Sequence, residues 1–298
     1  MLNHLNRTFL VAAAAVATVG AATASAATLV YEPFAASDYT VGNSLSGANP
    51  TVAGFGGAWV KDGGGDTTVE TGSLTYLNLV TSGNKASSVS GGRMNRSLDV
   101  SATGPLGNYV ADVDFGGTTG VQPAIATSAN GNALYISMLV SWSGGDPTDA
   151  FFGVEFHNPI GGNSDSSQEF RFDAADGPDD FQVDSDGGNN NFLGDFDTDT
   201  HLLVFRIDFA DGDDTLTWWW DPTSLGGAEP AVATGSATFE LEFDKIVLSR
   251  FAGDGSVTGL SDEFRIGTTY ASVTPVPEPT AVGLGGAALA LLIGRRSR

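Results

Sequence analysis

Apolar residues recur at every second position in short runs, and clusters of Gly, Asn, Asp and Ser separate the runs. No amphipathic helical stretch longer than a few residues interrupts them. A period of two sends successive side chains to opposite faces of a strand, so the pattern confines the chain to β structure. In residues 133–142, Leu134, Ile136, Met138, Val140 and Trp142 share one face, and Tyr135, Ser137, Leu139 and Ser141 share the other. This predicts a strand buried on one side. Residues 201–209 repeat the pattern with Leu203, Phe205, Ile207 and Phe209 facing in, and the turn 210–214 leads back into 215–220 as a hairpin.

Residues 109–115, 151–157 and 168–173 read likewise. After Phe239, Leu241 and Phe243 the apolar parity changes at Asp244-Lys245, which marks a bulge or a strand end. About a dozen strands across residues 27–267 suit one antiparallel two-sheet β-sandwich. Residues 173–199 are expected to form a loop region, and 268–275 a linker.

The 298-residue chain has no cysteine, which removes disulfides, thiolate metal sites and cysteine nucleophiles. Its 35 acidic and 13 basic residues give a formal charge of −22. Without residues 1–26, which carry Arg7, and 276–298, which carry Glu278, Arg295, Arg296 and Arg298, 34 acids and 9 bases remain, a charge of −25. Such a field repels nucleic acid, anionic lipid and acidic polysaccharide, and leaves neutral glycans, cations and basic partners. There is no P-loop, dinucleotide fingerprint or G-x-S-x-G elbow.

Both ends read as addresses. Arg7, the apolar run 9–19 and Ala24-Ser25-Ala26 form a secretory signal, with signal peptidase expected to cut between Ala26 and Ala27. The run is short for a ~30 Å hydrocarbon core, which disfavours a permanent N-terminal anchor. At the other end, Val276-Pro277-Glu278-Pro279 precedes an uncharged stretch, 281–293, and then Arg295, Arg296 and Arg298. As a helix the stretch would measure roughly 20 Å, a marginal span. The terminal arginines would hold the C-terminus in the cytoplasm and leave the domain outside. This order resembles the PEP-CTERM sorting signal. The resemblance implies an exosortase-type membrane protease as a partner, and release or attachment of the domain outside the cell. An unprocessed C-terminal anchor is the alternative.

A second resemblance spans nearly the whole of 27–267. Leu29-Val30-Tyr31-Glu32-Pro33-Phe34, Thr200-His201-Leu202-Leu203-Val204-Phe205-Arg206-Ile207-Asp208-Phe209 and Ser261-Asp262-Glu263-Phe264-Arg265-Ile266-Gly267 resemble the concanavalin A-like lectin/glucanase, or laminin-G-like, jelly rolls. It implies the fold more than any activity.

Three sets of residues are candidates for chemistry. Glu240, Glu242 and Asp244 occupy alternate positions, as do acids flanking a scissile sugar bond in some sandwiches of that class, although their order departs from the Glu-Asp-Glu of the glycosidases. The same alternation describes the wet face of a half-buried strand. Acid clusters, with Asp184 and Asp186, Asp211 and Asp213 foremost, and Asp173, Asp176, Asp195, Asp197, Asp199 and Asp214 around them, offer hard oxygens suited to a structural Ca²⁺ but complete no calcium loop.

Trp218 and Trp220 share one strand face and are candidates for stacking on a sugar, with burial under a loop or the second sheet as the alternative. His157 and His201 lie at strand ends with no ligand pair nearby in sequence. The expectation is an exported, surface- or matrix-associated, non-catalytic protein that binds extracellular polysaccharide. A glycan hydrolase or lyase, and a purely structural protein, are the alternatives.

Overall fold

The computed structural model describes residues 26–277, except 90, 117–118, 145–149, 160–167, 176–179, 186–190, 196 and 253–257. Its strands are β1 (Thr28–Glu32), β2 (Val60–Lys61), β3 (Thr67–Glu70), β4 (Lys85–Val89), β5 (Arg93–Ser97), β6 (Val110–Asp114), β7 (Val121–Ile125), β8 (Leu134–Ser143) and β9 (Ala150–His157). They continue with β10 (Gln168–Ala175), β11 (Asp180–Ser185), β12 (Asn191–Asp195), β13 (Thr200–Ala210), β14 (Gly212–Trp220), β15 (Gly235–Phe239), β16 (Lys245–Ala252) and β17 (Thr258–Gly267). One short helix, α1 (Tyr270–Val273), follows.

Antiparallel pairing collects these strands into two large sheets, a sandwich. One runs β15-β14-β13-β8-β17-β4-β3, with β1 also on β17 and eight strands in all; the other runs β12-β11-β10-β9-β16-β5-β2. β6 and β7 form a separate hairpin. The period-two residues meet between the sheets. Ile136, Met138, Val140 and Trp142 of β8 and Leu203, Phe205 and Ile207 of β13 pack against Phe152, Val154 and Phe156 of β9 and Phe170 and Phe172 of β10. Phe156 and Phe170 stack at 4.2 Å, with Phe205 and Phe243 edge-on to Phe170 at 5.2 and 5.7 Å, an arrangement the ring quadrupoles favour.

The predicted strands 133–142 and 201–209 appear as β8 and β13, but β8 is buried on both faces. Leu139, Tyr135, Leu202, Val204 and Trp219 form a second cluster on the outer face of the eight-stranded sheet, covered by Leu74, Leu79, Tyr270 and Val273. Residues 268–275, expected as a linker, therefore belong to the domain: Tyr270, Val273 and Thr274 are buried. The Tyr270 hydroxyl donates to Ser224 O (2.8 Å) and Ser137 Oγ to Val273 O (2.7 Å). Thr269 caps α1, its hydroxyl accepting from Ser272 N at 3.1 Å. Polarity and shortness disguised this segment as a connection.

Within 173–199, expected as a loop region, the end of β10 and all of β11 and β12 are strand. Their Asp, Asn and Gly content is poor for strands. Tertiary packing overrides it, because Phe181 and Val183 of β11 point into the core.

The terminal motifs are structural. Glu32 and Arg96 form a buried ion pair (2.8 Å), with the Tyr39 hydroxyl (2.6 Å) and Phe34 N (3.0 Å) also donating to Glu32. Arg96 donates further to Gly57 O (2.9 Å) and Pro50 O (2.7 Å), so every face of the pair is occupied. At the other end, the ladder between β17 and β8 shifts register between Asp262 and Arg265, with Glu263 at φ 53°. That bulge turns the Asp262 and Glu263 carboxylates toward the 73–82 segment, where Ser73, Leu74 N and Ser82 N donate to them.

Candidate functional site on the seven-stranded sheet

Strand alternation fixes two rows of side chains on the outer face of the seven-stranded sheet. One row reads Asn95, Val247, Glu155, Arg171 and Asp184 across β5, β16, β9, β10 and β11. The next reads Arg93, Ser249, Gly153, Asp173, Gln182 and Phe192, extending to β12. In this sandwich an outer face with so many charged groups departs from the apolar-or-solvated alternation of the other strands, and the groups pair with one another.

Glu155 is the hub of one half. Arg93 Nη2 donates to its Oε2 (2.7 Å), His157 Nε2 shares that oxygen (2.5 Å), and the Ser249 hydroxyl donates to Oε1. Burial pushes this carboxyl up, but His157, Arg93 and Ser249 outweigh it and hold it below the usual carboxylate range. In the other half Arg171 bridges Asp173 and Asp184, reaching Asp184 Oδ2 at 3.0 Å. Asp173 is fully buried, and burial pushes its carboxyl up to about 6 against the opposing pull of Arg171 and Gln182.

Exposure divides the face. Glu155, His157, Asp173 and Ser249 are at most 2% exposed, whereas the Arg171 side chain keeps 22% and Phe192, beside Gln182 at the sheet edge, keeps 59%. Leu193, its neighbour, packs inward on the core, which fixes the Phe192 ring outward. The buried network thus holds a polar edge rigid beside an exposed phenyl ring.

The sequence candidates are placed elsewhere. Glu240, Glu242 and Asp244 do not lie on one strand: β15 ends at Phe239, Phe243 bridges to Ile125, and β16 begins at Lys245 in the other sheet. The chain is crossing between sheets there. Leu241 and Phe243 plug the core, which accounts for the alternation. Glu242 is pushed up by burial and then by the charges of Glu240 and Asp214, while Asp244 is pushed up by burial against Lys245 and His157. Glu240 and Glu242 thus feel each other's charge, whereas the charged neighbours of Asp244 are Lys245 and His157.

Trp218 is fully buried in the inter-sheet core and has no face to offer a sugar. Trp220 is half-buried, stacked on His201 (4.5 Å) and Phe172 (5.4 Å). Trp219 is covered on the other face, donating Nε1 to Pro230 O (3.2 Å). His201, at the end of the core, lies between Asp221 (2.7 Å) and Asp197 (2.9 Å). Burial pulls its pKa down, but the two aspartates prevail and raise it.

Of the calcium candidates, Asp184 is engaged by Arg171, Asp211 and Asp213 are exposed in the β13–β14 turn, and Asp186 and Asp176 lie outside the described residues. Asp214 accepts from Ala210 N (2.9 Å) and Leu241 N (3.1 Å), a turn-stabilising role. Among the described residues no three His, Asp or Glu side chains converge on a metal position.

Sequence reading missed the Glu155 and Arg171 networks and Phe192. Their signal is the polar set interleaved in Phe152-Gly153-Val154-Glu155-Phe156-His157 and Phe170-Arg171-Phe172-Asp173, which is legible as an outer face only once a sheet is assumed.

No family model and no curated protein matches the chain. Solved structures similar to it include a carbohydrate esterase from the Shiga toxin-encoding bacteriophage phi24B, at 15% identity and TM-score 0.43, covering 82% of this chain and 99% of that one. The receptor-binding domain of botulinum neurotoxin D is similar at 12% identity and TM-score 0.38, with 75% of this chain and 48% of that chain covered. A botulinum neurotoxin type C structure, described as dependent upon two ganglioside molecules for cell entry, is similar at 8% identity and TM-score 0.40, with 85% and 51% covered. The chain thus spans about half the length of the toxin chains. At TM-scores below 0.5 these likenesses carry no weight for function, and the architecture stands on its own strand pairing.

Proposed function

We propose that this is an exported, surface- or matrix-associated, non-catalytic protein whose sandwich, of the concanavalin A-like jelly-roll kind, binds a neutral glycan at the β10–β12 edge of the seven-stranded sheet. The observation that carries the reading is the exposed Phe192 ring standing beside Gln182 at the edge of the sheet whose next strand but one carries Arg171. Sugars present apolar C–H faces and a rim of hydroxyls, and this edge offers the Phe192 ring for the first and the part-exposed Arg171 guanidinium as a donor for the second. The acidic field favours an uncharged ligand.

Export rests on the two terminal sequences. Signal peptidase cleavage after Ala26 would leave β1 whole, since β1 starts at Thr28. An exosortase-type protease acting at Val276-Pro277-Glu278-Pro279 would leave α1 in place; Glu278, Pro279, Arg295, Arg296 and Arg298 lie outside the described residues. Among the described residues no helix is long and apolar enough to cross a membrane.

A hydrolase is the second reading, favoured by one observation. Glu155, held low, and Asp173, pushed high, are diagonal neighbours about Gly153, which places them ~7–8 Å apart at the backbone. Carboxyl pairs whose environments drive their pKa values apart serve glycoside hydrolysis. Burial of both groups and the Arg171 clamp on Asp173 favour binding instead. A glycan array on the exported protein, with chromatography of each positive ligand, decides: retention of intact neutral glycan supports binding, products abolished by Glu155→Gln establish the hydrolase, and silence refutes both.

A further inference from the structure

Four segments without a charged residue, 26–31, 71–84, 222–228 and 268–277, converge where the described residues begin and end, although the chain carries 35 acids. Ala27 N donates to Thr268 Oγ1 (3.1 Å) and Thr268 N to Ala27 O (3.0 Å). Val80 N donates to Pro275 O (2.8 Å), Gly226 N to Thr274 Oγ1 (3.2 Å), and the Tyr31 and Ser82 hydroxyls bond at 2.9 Å. The united surface lies over the outer face of the eight-stranded sheet and presents small uncharged polar residues with two exposed aliphatics, Leu77 (65%) and Val80 (39%). The Arg206–Glu229 ion pair begins where the 222–228 segment ends.

We propose that this charge-free face rests on the lipid–water interface while the C-terminal apolar segment is in the bilayer. The inference depends on reading the tail as membrane-inserted, and adds where the domain then sits and which way it faces. Only residues 278–280 separate Pro277 from the apolar run beginning at Ala281. Three residues span at most ~11 Å, and the headgroup layer itself takes roughly 5–7 Å, so the domain cannot stand clear of the membrane. The surface at the exit point must meet headgroups, and the four segments that form it carry no charged side chain to bury, with Lys85, Asp221 and the Arg206–Glu229 pair only at their margins. The polar face of the seven-stranded sheet, on the opposite side of the sandwich, then points outward to the medium.

The absence of native cysteine permits a direct test. Leu77→Cys, Val80→Cys and, on the opposite sheet, Val60→Cys are each labelled with a polarity-sensitive fluorophore in the full chain and mixed with phosphatidylcholine vesicles. Flotation reports insertion of the tail, and a headgroup-bound spin-label lipid reports proximity. The expected result is flotation with quenching several-fold greater at positions 77 and 80 than at 60. Flotation with equal quenching at all three overturns the proposal and leaves the anchored tail standing. Absence of flotation removes the anchored tail, and the proposal with it. Lipid-independent, concentration-dependent shielding of positions 77 and 80 also overturns it, in favour of a second copy on this face.

Discussion

Replacing Asp173 with Asn tests the buried network through pH. The carboxyl is fully buried and pushed up to about 6 from its ordinary 3.8. The folded state therefore binds this proton more tightly than the unfolded state. Its contribution to stability is fully present below pH ~4 and is lost as pH rises through about 6. A shift of about two pKa units corresponds to about 3 kcal/mol. Urea unfolding of wild type and Asp173→Asn between pH 4.5 and 7.5 isolates this group, because every other titration is common to both proteins. Asn cannot ionise, so the variant gains on wild type as pH rises, by about 2–3 kcal/mol over that window. Loss of a partner for Arg171 adds an offset that does not vary with pH. A difference constant across pH would refute the burial-dominated account of Asp173.

Three further outcomes follow from the packing. Glu32→Gln or Arg96→Met alone strands a buried partner and should cost about 3–5 kcal/mol, while the double variant loses measurably less than the sum; additive thermal shifts would contradict the pairing. Gly259→Ala places a Cβ 2.0 Å from Phe152 Cδ2 in the core and should destabilise by about 1–3 kcal/mol in a denaturant melt. Tyr270→Ala uncovers Trp219, its edge-on neighbour at 5.9 Å, and should cost about 3–5 kcal/mol with a rise in dye binding; an unchanged melt would return 268–275 to the status of a linker.

The alternation in β8, β13 and β14 was legible because long central strands repeat one period for nine or more residues. β11 and β12 were not, since Phe181, Val183 and Leu193 are too few among Asp, Asn and Gly to mark strands before the sheet exists to bury them. The same limitation hid the site. Glu155, Arg171 and Gln182 come from three strands, and only register brings them together. The tryptophan run misled in the opposite sense: aromatic residues were visible, but which face of β14 the second sheet covers was not. The acids at 240–244 show a related limit, because their alternation runs through a crossover between sheets and not along one strand.

The most direct test of the glycan reading compares Phe192→Ala with Leu77→Ala in calorimetric titrations of one neutral polysaccharide. Stripping an aromatic ring from a contact that buries it costs about 1.5–3 kcal/mol, so Phe192→Ala should weaken binding roughly 10- to 100-fold, with Leu77→Ala at wild-type affinity. Equal affinity for wild type and Phe192→Ala would contradict the assignment of this edge as the binding surface.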